Sequence, residues 1–590
     1  MRFAGSFASA ALMLASAPLL FSQNTPSDRA GGPAQILTAD DVRAVLTTAA
    51  AALANDTLAA AVVDRTGNIL GVYARSGAGA VTPDVAVSLA RTGAMFANDQ
   101  APLSSRTVRF ISGIHFPPGI KNTANAALYG VENINRGCAV DVQGDAVFNE
   151  PFPRPKSIAG VFGEGAGGTP LPCDPSDTRG CARGGPMLDE EGLPLTSVGI
   201  TTGKKDVFDA GQDQPGNVPV DPGGIPIYRA GKVVGGVGVA GVPADFAEYA
   251  ATLAAAGSGR GLDFSEPLGT PGAVFIDGLR LPFFGNCTNI ACIRRALRTR
   301  PAGAAPGSVS SGTFPVQPRD GLQAPENYVL GPRASSVPGG LTLDDVRRIV
   351  DQSVAVALRT RAMIRLPINQ PARMTIGISD ETGAILALFR MPDGTVFSSD
   401  VAMTKARNAF YFSTREGYEV LRDAAANSRH DRYAWSPEPP AGKGWAITAR
   451  TISFAGQPLF PPGIDLDEQL EKQDGELQRG PWFDVFVYDA KNPCTEGPGA
   501  SRGGNRRYLH QSGIVWFPGS VPLYRGDRVI GGLGISGDGV EQDDYVALLG
   551  SEGFHPPDAL RVDNSVMTDA KGRAVRMPYL KLPRNPELQK

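Results

Sequence analysis

Residues 104–120 read SSRTVRFISGIHFPPGI and residues 448–464 read TARTISFAGQPLFPPGI. A chain that writes one sentence twice must fold into something that can be built twice. The matches continue in the same order on both sides. LTADDVR at 37–43 is answered by LTLDDVR at 341–347, and AAAVVDRTGNILGVYAR at 59–75 by TIGISDETGAILALFR at 375–390. GIPIYRAGKVVGGVGVAG at 224–241 returns as SVPLYRGDRVIGGLGISG at 520–537, and LRLPF at 279–283 as VRMPY at 575–579.

Each matched block predicts an element. Thr38 and Thr342 are N-cap candidates followed by acidic residues, which favour the exposed amides of a first helical turn. Val346, Ile349, Val350 and Val354 then recur at helical spacing. In the next block an apolar run, an aspartate, a glycine and a second apolar run predict a hairpin. Asp64 and Asp380 are therefore read as turn formers and not as catalytic bases. A second helix over 85–94 and 401–410 is rich in small residues, which permits close approach of a backbone or of a flat ligand, although core packing explains it equally. The paired prolines after Phe116 and Phe460 exclude a central strand and predict a loop. Gly235, Gly236 and Gly238 lie inside a predicted strand, which argues against a phosphate-cradling loop. A closing helix is expected around Asp245–Tyr249 and Asp543–Val546.

Helix, hairpin, helix, long loop, hairpin, helix is the order in each half. It predicts an α/β (α+β) chain of two tandem domains, each a mostly antiparallel sheet with packed helices, joined as a pseudo-twofold pair. We place the first domain at 31–290 with an insertion at about 136–220, a linker at 291–338, and the second domain at 339–590 with an insertion at about 465–512.

Gly 72 and Pro 49 make up roughly a fifth of the 590 residues, against 42% hydrophobic content, so long irregular loops on a folded core are expected. A net charge of −3 spread along the chain gives no reason to expect a nucleic-acid partner. Arg2 precedes an apolar stretch ending near Phe21, the pattern of a signal peptide over 1–22 that directs a protein to the periplasm or outside the cell. No later apolar run is long enough to span a membrane. Six cysteines fit an oxidising compartment: Cys173 with Cys181 and Cys287 with Cys292 read as local bridges, Cys138 and Cys494 as a pair across the halves. Six scattered cysteines with some free is the other reading, and no zinc-ligand spacing surrounds them.

The combination of LTxDDVR, VVDRTGNIL with ISDETGAIL, and the Gly-rich strand running into GDGVEQDD resembles the GlcG/HbpS-like family, in two tandem divergent copies covering about half of the mature chain. The resemblance implies haem binding, in some descriptions haem degradation, and assembly into oligomers. The family's Thr/Lys-Ala helix pattern falls on Thr404-Lys405-Ala406, and the corresponding stretch of the first half is read as Leu89-Ala90-Arg91, without the lysine.

Haem iron wants His, Cys, Met or Tyr, and the ring wants an apolar slot with cations near its propionates. His115 sits in the repeated loop, where the second copy has Leu459; it is either a ligand kept in one copy or a tolerant loop position. His555 is a second candidate, while His430 and His510 read as surface residues. Tyr228 and Tyr524 are repeat partners, each followed by arginine, and could supply a phenolate; a packing role is the alternative. Arg106 and Arg450 could hold a carboxylate or form internal salt bridges. No HExxH, GxSxG, nucleotide loop or triad specifies a reaction. Three readings follow: an exported haem-binding protein acting as scavenger or sensor accessory, which would touch a cell-envelope protein to signal; a ligand-free interaction module; and a haem-degrading oxidoreductase. An open apolar slot with a coordinating atom favours the first, and a filled slot between sheet and helices the second.

Overall fold

The computed structural model describes residues 36–79, 82–113, 116, 126–131, 134, 222–265, 274–276, 278–429, 431–457, 460–461, 479–491 and 512–589. The first half contributes α1 (Ala39–Ala52), β1 (Ala59–Asp64), β2 (Ile69–Arg75), α2 (Thr82–Phe96), α3 (Ser105–Ser112), β3 (Gly224–Arg229), β4 (Lys232–Ala240), α4 (Ala244–Gly257), β5 (Leu262–Asp263), β6 (Val274–Ile276) and β7 (Leu279–Leu281). Between the halves lie α5 (Ile290–Ala296), β8 (Gly312–Val316) and β9 (Asn327–Leu330). The second half contributes α6 (Leu343–Arg359), β10 (Thr375–Asp380), β11 (Ile385–Arg390), α7 (Ser398–Ser413), α8 (Arg415–Ala426), β12 (Tyr433–Ser436) and α9 (Ala449–Ala455). It continues with α10 (Phe483–Lys491), β13 (Ser520–Arg525), β14 (Arg528–Ser536), α11 (Val540–Gly550), β15 (Val566–Asp569) and β16 (Ala574–Arg576).

Two antiparallel sheets organise the fold, in the orders β5-β3-β4-β1-β2-β8 and β13-β14-β10-β11-β9. Their four shared strands pair in one register: Ala61 lies opposite Gly238 and Gly377 opposite Gly534. The mixed α/β architecture with antiparallel sheets is thus the expected one. Thr38 and Thr342 each close a capping box, with Asp41 and Asp345 completing it. Asp64 Oδ1 accepts from the Thr66 and Asn68 amides, and Asp380 Oδ1 from those of Thr382 and Ala384, while Gly67 and Gly383 take φ of +86° and +79°. Both aspartates are turn formers, as read.

Burial alternates along the strands. Ala60 and Val62 of β1 face α1 and α4, whereas Ala59, Ala61 and Val63 face α2. The glycines of β4 and β14 explain how α2 and α7 come to lie flat on their sheets. A Cβ on Gly238 would strike the Ala86 carbonyl and sit 2.5 Å from the Ala90 nitrogen; one on Gly534 would strike the Ala402 carbonyl and sit 2.7 Å from the Ala406 nitrogen. These equivalent contacts pair Ala90 with Ala406, so the counterpart of Thr404-Lys405-Ala406 is Ser88-Leu89-Ala90, one residue earlier than the sequence reading placed it. They also leave no slot between sheet and helix at this point in either half.

The segment read as a linker is structural. β8 pairs with β2, and β9 with β11, so it closes one edge of each sheet. Two further features were not read from the sequence: the short α3 and α9, capped by Ser104 and Thr448 inside the opening motif, and a small sheet of order β12-β15-β16.

The halves pack directly on each other. Phe96 at the end of α2 stacks on Phe397 with ring centroids 4.1 Å apart, and Tyr129 meets Phe486 at 5.2 Å. The Val396 amide donates to the Met95 carbonyl, Asn98 Nδ2 to the Ile364 carbonyl, and the Asp99 amide to the Asp393 carboxylate. A pseudo-twofold would repeat such contacts with the halves exchanged; the counterparts of Val396 and Phe397, positions 80 and 81, lie outside the described residues.

Candidate functional site

Where the halves meet lies a small cleft with about 40 Å³ of free room, space for a few waters, inside a wider hollow of about 620 Å³ that takes in open solvent. Phe96 and Leu103 of the first half and Met363, Ile364, Phe397 and Phe517 of the second supply apolar walls. At one end the lining turns polar, with Ser536 from the end of β14 and Glu541, Gln542 and Asp543 from the first turn of α11. This is concave, mostly apolar ground with a few convergent polar groups.

Lys405 anchors the polar end. It projects from the middle of α7, is fully buried, and its Nζ donates to the Ile535 carbonyl at 2.8 Å and to Asp543 Oδ2 at 3.0 Å. The ammonium also lies 5.0 Å from the centroid of the Phe517 ring. Gly519, at φ +120°, makes room: a Cβ there would come within 2.6 Å of both Lys405 Nζ and Asp543 Cβ. Burial pushes the Asp543 carboxyl up to about 7, with Lys405 pulling against that rise, and burial lowers the Lys405 ammonium against the pull of Asp543.

Two acceptors at this end are left over. Asp543 Oδ1 and Gln542 Oε1 are buried with no hydrogen-bond partner, although their residues are only 3% and 2% exposed. Unpaired buried acceptors are costly and call for an explanation.

The first half has the same frame without this chemistry. Gly223, the counterpart of Gly519, faces Leu89 and Ala247 where Gly519 faces Lys405 and Asp543. An apolar pair therefore replaces the ion pair. The neighbouring bridge is kept in both: Arg106 grips Glu248 at 2.6 and 3.0 Å, and Arg450 holds Asp544 at 2.8 Å. Glu248 also accepts from the Gly285 amide and Asp544 from the Lys581 amide. Arg106 and Arg450 thus tie the short helices α3 and α9 to α4 and α11, the salt-bridge alternative of the sequence reading.

The remaining predicted residues do not gather at the cleft. Tyr228 is buried and its hydroxyl donates to the Asn98 carbonyl at 2.6 Å, a packing role at the joint between halves. Tyr524 is buried within the aromatic core of the second half, and burial raises its phenol further from the phenolate form. His555 is exposed, with Nε2 2.9 Å from the Leu548 carbonyl. His115, His430 and His510 lie outside the described residues, although Ile111 lines the cleft and Phe116 packs in the same cluster as its walls. Of the predicted site residues among those described, Lys405 alone is brought to the cleft's edge. Met363, Phe517, Gln542 and Asp543 were not singled out; only the acidic start of α11 carried a signal. Among the described residues no group of His, Cys, Asp or Glu could hold a metal ion, and no helix is long and apolar enough to cross a membrane. Cys287 and Cys292 sulfurs lie at bonding distance with Cα atoms 5.4 Å apart, while the other four cysteines lie outside the described residues.

Residues 483–552, from α10 through β13 and β14 to α11, match the family model described as haem degrading protein HbpS-like. This part of the second half is similar to the HbpS-like family. That match takes in Phe517, Gln542 and Asp543 but not the first half. No curated protein matches the chain. Two solved structures align at low scores: a PduOC:heme complex, 20% identical over 36% of this chain and 92% of that one with a TM-score of 0.18, and Klebsiella pneumoniae protein ORFY, of family DUF336, 16% identical over 35% and 86% with a TM-score of 0.16. Neither carries weight for the ligand of this chain.

Proposed function

We propose that this chain binds a small, flat, largely apolar ligand in the cleft between its halves, with haem as the first ligand to test. The observation that carries the reading is the cleft itself: narrow, walled by Phe96, Phe397 and Phe517, and bounded on the second half by residues within the HbpS-like match. The family description names haem, and the walls are apolar as its ring is; seating the ring requires the walls to part, because Phe96 stacks on Phe397 and the free room is about 40 Å³. Met363 is the lining residue of axial-ligand type, and its thioether is the group that would hold the iron. The polar end suits propionates less well, because the nearby cation, Lys405, is already bonded to Asp543.

In the same reading the first half is a diverged second copy of the family domain, 1–22 direct export to the periplasm or beyond, and the Cys287–Cys292 contact is a disulfide suited to that compartment. A role as scavenger or sensor accessory, an envelope partner and homo-oligomers extend this proposal. The close packing of α2 and α7 on their sheets speaks for the rival reading of a ligand-free scaffold, but the cleft between halves speaks against it.

The test is a haemin titration of the full mature chain, followed in the Soret region, with Met363→Leu and His115→Ala beside it. Saturable one-to-one binding that Met363→Leu shifts spectrally supports the reading and its thioether ligand. A shift lost only in His115→Ala moves the ligand to the repeated loop, and no saturable shift in any protein removes haem.

A further inference from the structure

The cleft's polar end has a sign. Its buried unpaired atoms, Asp543 Oδ1 and Gln542 Oε1, are both acceptors, and the donor beside them, Lys405, gives two of its three N–H groups to Asp543 Oδ2 and the Ile535 carbonyl and lies against the Phe517 ring. Glu541 joins them in the lining, held by Lys581 at 3.0 Å. A ligand that brings an anion to this end meets like charge and desolvated oxygens; one that brings N–H or O–H groups satisfies them.

We propose that Gln542 and Asp543 form a recognition site for a hydrogen-bond donor, by preference a cationic one such as an ammonium or amidinium, on the edge of a flat apolar ligand seated in the cleft. The inference rests on the cleft being a ligand site and adds which end-group that ligand carries. Asp543 supplies the charge, Gln542 a second acceptor, and Lys405 is a positioning residue that fixes Asp543 by occupying its other oxygen. Gly539, at φ +148°, lets the Gln542 amide fold back at the start of α11, where a Cβ would meet it.

The repeat sharpens the assignment. Counting from Gly223 and Gly519, the first half carries Leu89, Phe246 and Ala247 in place of Lys405, Gln542 and Asp543. Leu89 and Ala247 are buried and apolar, so that half packs soundly without any of the three polar groups. The fold does not need them for stability, and their retention at the cleft in one half gives one donor site per chain.

Two probes with the same flat body test this: 2-naphthylmethylammonium and 2-naphthoate, titrated by calorimetry into the full mature chain at pH 8. The expected result is that the ammonium binds at least tenfold more tightly than the carboxylate. Replacing the polar group by the first half's pair, Lys405→Leu with Asp543→Ala, should abolish that preference while naphthoate binding stays or improves. Gln542→Leu, which leaves the ion pair intact, should weaken the ammonium by a smaller factor and gives a readout independent of the double variant's folding. Equal binding of both probes to the unaltered protein overturns the donor site and leaves the cleft standing. Absence of binding by either probe overturns both, and a preference that survives the double variant places the donor elsewhere.

Discussion

Swapping the buried pair Lys405–Asp543 for its counterpart in the first half should cost far less than breaking it. Lys405→Leu alone leaves a carboxylate in a site where both of its oxygens are buried, and Asp543→Ala alone leaves an ammonium held by a single carbonyl. Each single change should cost about 3–5 kcal/mol, the usual penalty for orphaning one partner of a buried ion pair. The double variant removes both charges and installs side chains that this same frame accepts at Leu89 and Ala247. It should fall within about 1–2 kcal/mol of the unaltered protein, the residue of imperfect packing. The coupling energy from the cycle is then at least ~4 kcal/mol, well above the usual scatter of additivity. Urea unfolding followed by tryptophan fluorescence is the assay. Trp435, Trp445, Trp482 and Trp516 all lie in the second half, so the signal reports the altered domain. Additive losses in the double variant would refute the claim that the two positions are one exchangeable unit.

Other expectations test separate parts of the account. Gly534→Ala should cost about 3 kcal/mol or more, because its Cβ would meet backbone atoms of α7, whereas Gly526→Ala, with φ +62° and open space around it, should cost about 1 kcal/mol; the same fluorescence assay compares them. Asp41 joins α1 to Arg229 at 2.7 Å and Arg260 at 2.5 Å, and although burial raises its carboxyl, these partners and Thr38 hold it below its ordinary value of 3.8. The stability it contributes is present above that value and is lost as pH falls through the folded one, so Asp41→Asn should cost about 2 kcal/mol at pH 7 by calorimetry and the gap should close below pH 4. Ammonium binding at the cleft should weaken as pH falls through about 7, where Asp543, raised by burial and by the nearby Asp544 and Asp538 against the pull of Lys405, takes up its proton. Flat affinity between pH 8 and pH 6 would mean Asp543 does not face the probe.

Much of the fold was legible because the repeat acts as its own control. Thr38 and Thr342, Asp64 and Asp380, and the two Gly-rich strands each occur twice in matched order, so capping, turn and strand readings reinforced one another. The edge strands β8 and β9 were not legible: Gly312–Val316 and Asn327–Leu330 are short, sit among prolines and glycines, and gain their strand character from the open edges of β2 and β11. The site was harder still. Sequence reasoning looked for iron ligands and weighed Tyr228, Tyr524 and His555 by residue type, but tertiary packing spends Tyr228 on the Asn98 carbonyl, buries Tyr524 in an aromatic cluster and leaves His555 at the surface. The cleft brings Leu103 and Phe517 into one lining across the halves, a juxtaposition with no local pattern. Lys405 was visible through the family resemblance, and its partner Asp543 only through geometry.

The most direct measurement is a ligand titration of the full chain against a variant whose cleft is filled. Ala127 lines the cleft from the first half, and Ala127→Trp adds an indole there while Lys405, Asp543 and Met363 keep their identities. Haemin and 2-naphthylmethylammonium, titrated into both proteins with circular dichroism to establish folding, decide the matter. The account predicts that at least one ligand binds the unaltered chain with one-to-one stoichiometry and that Ala127→Trp weakens it by at least tenfold. Unchanged binding in the folded variant, or no binding to the unaltered chain, contradicts the cleft as the functional site.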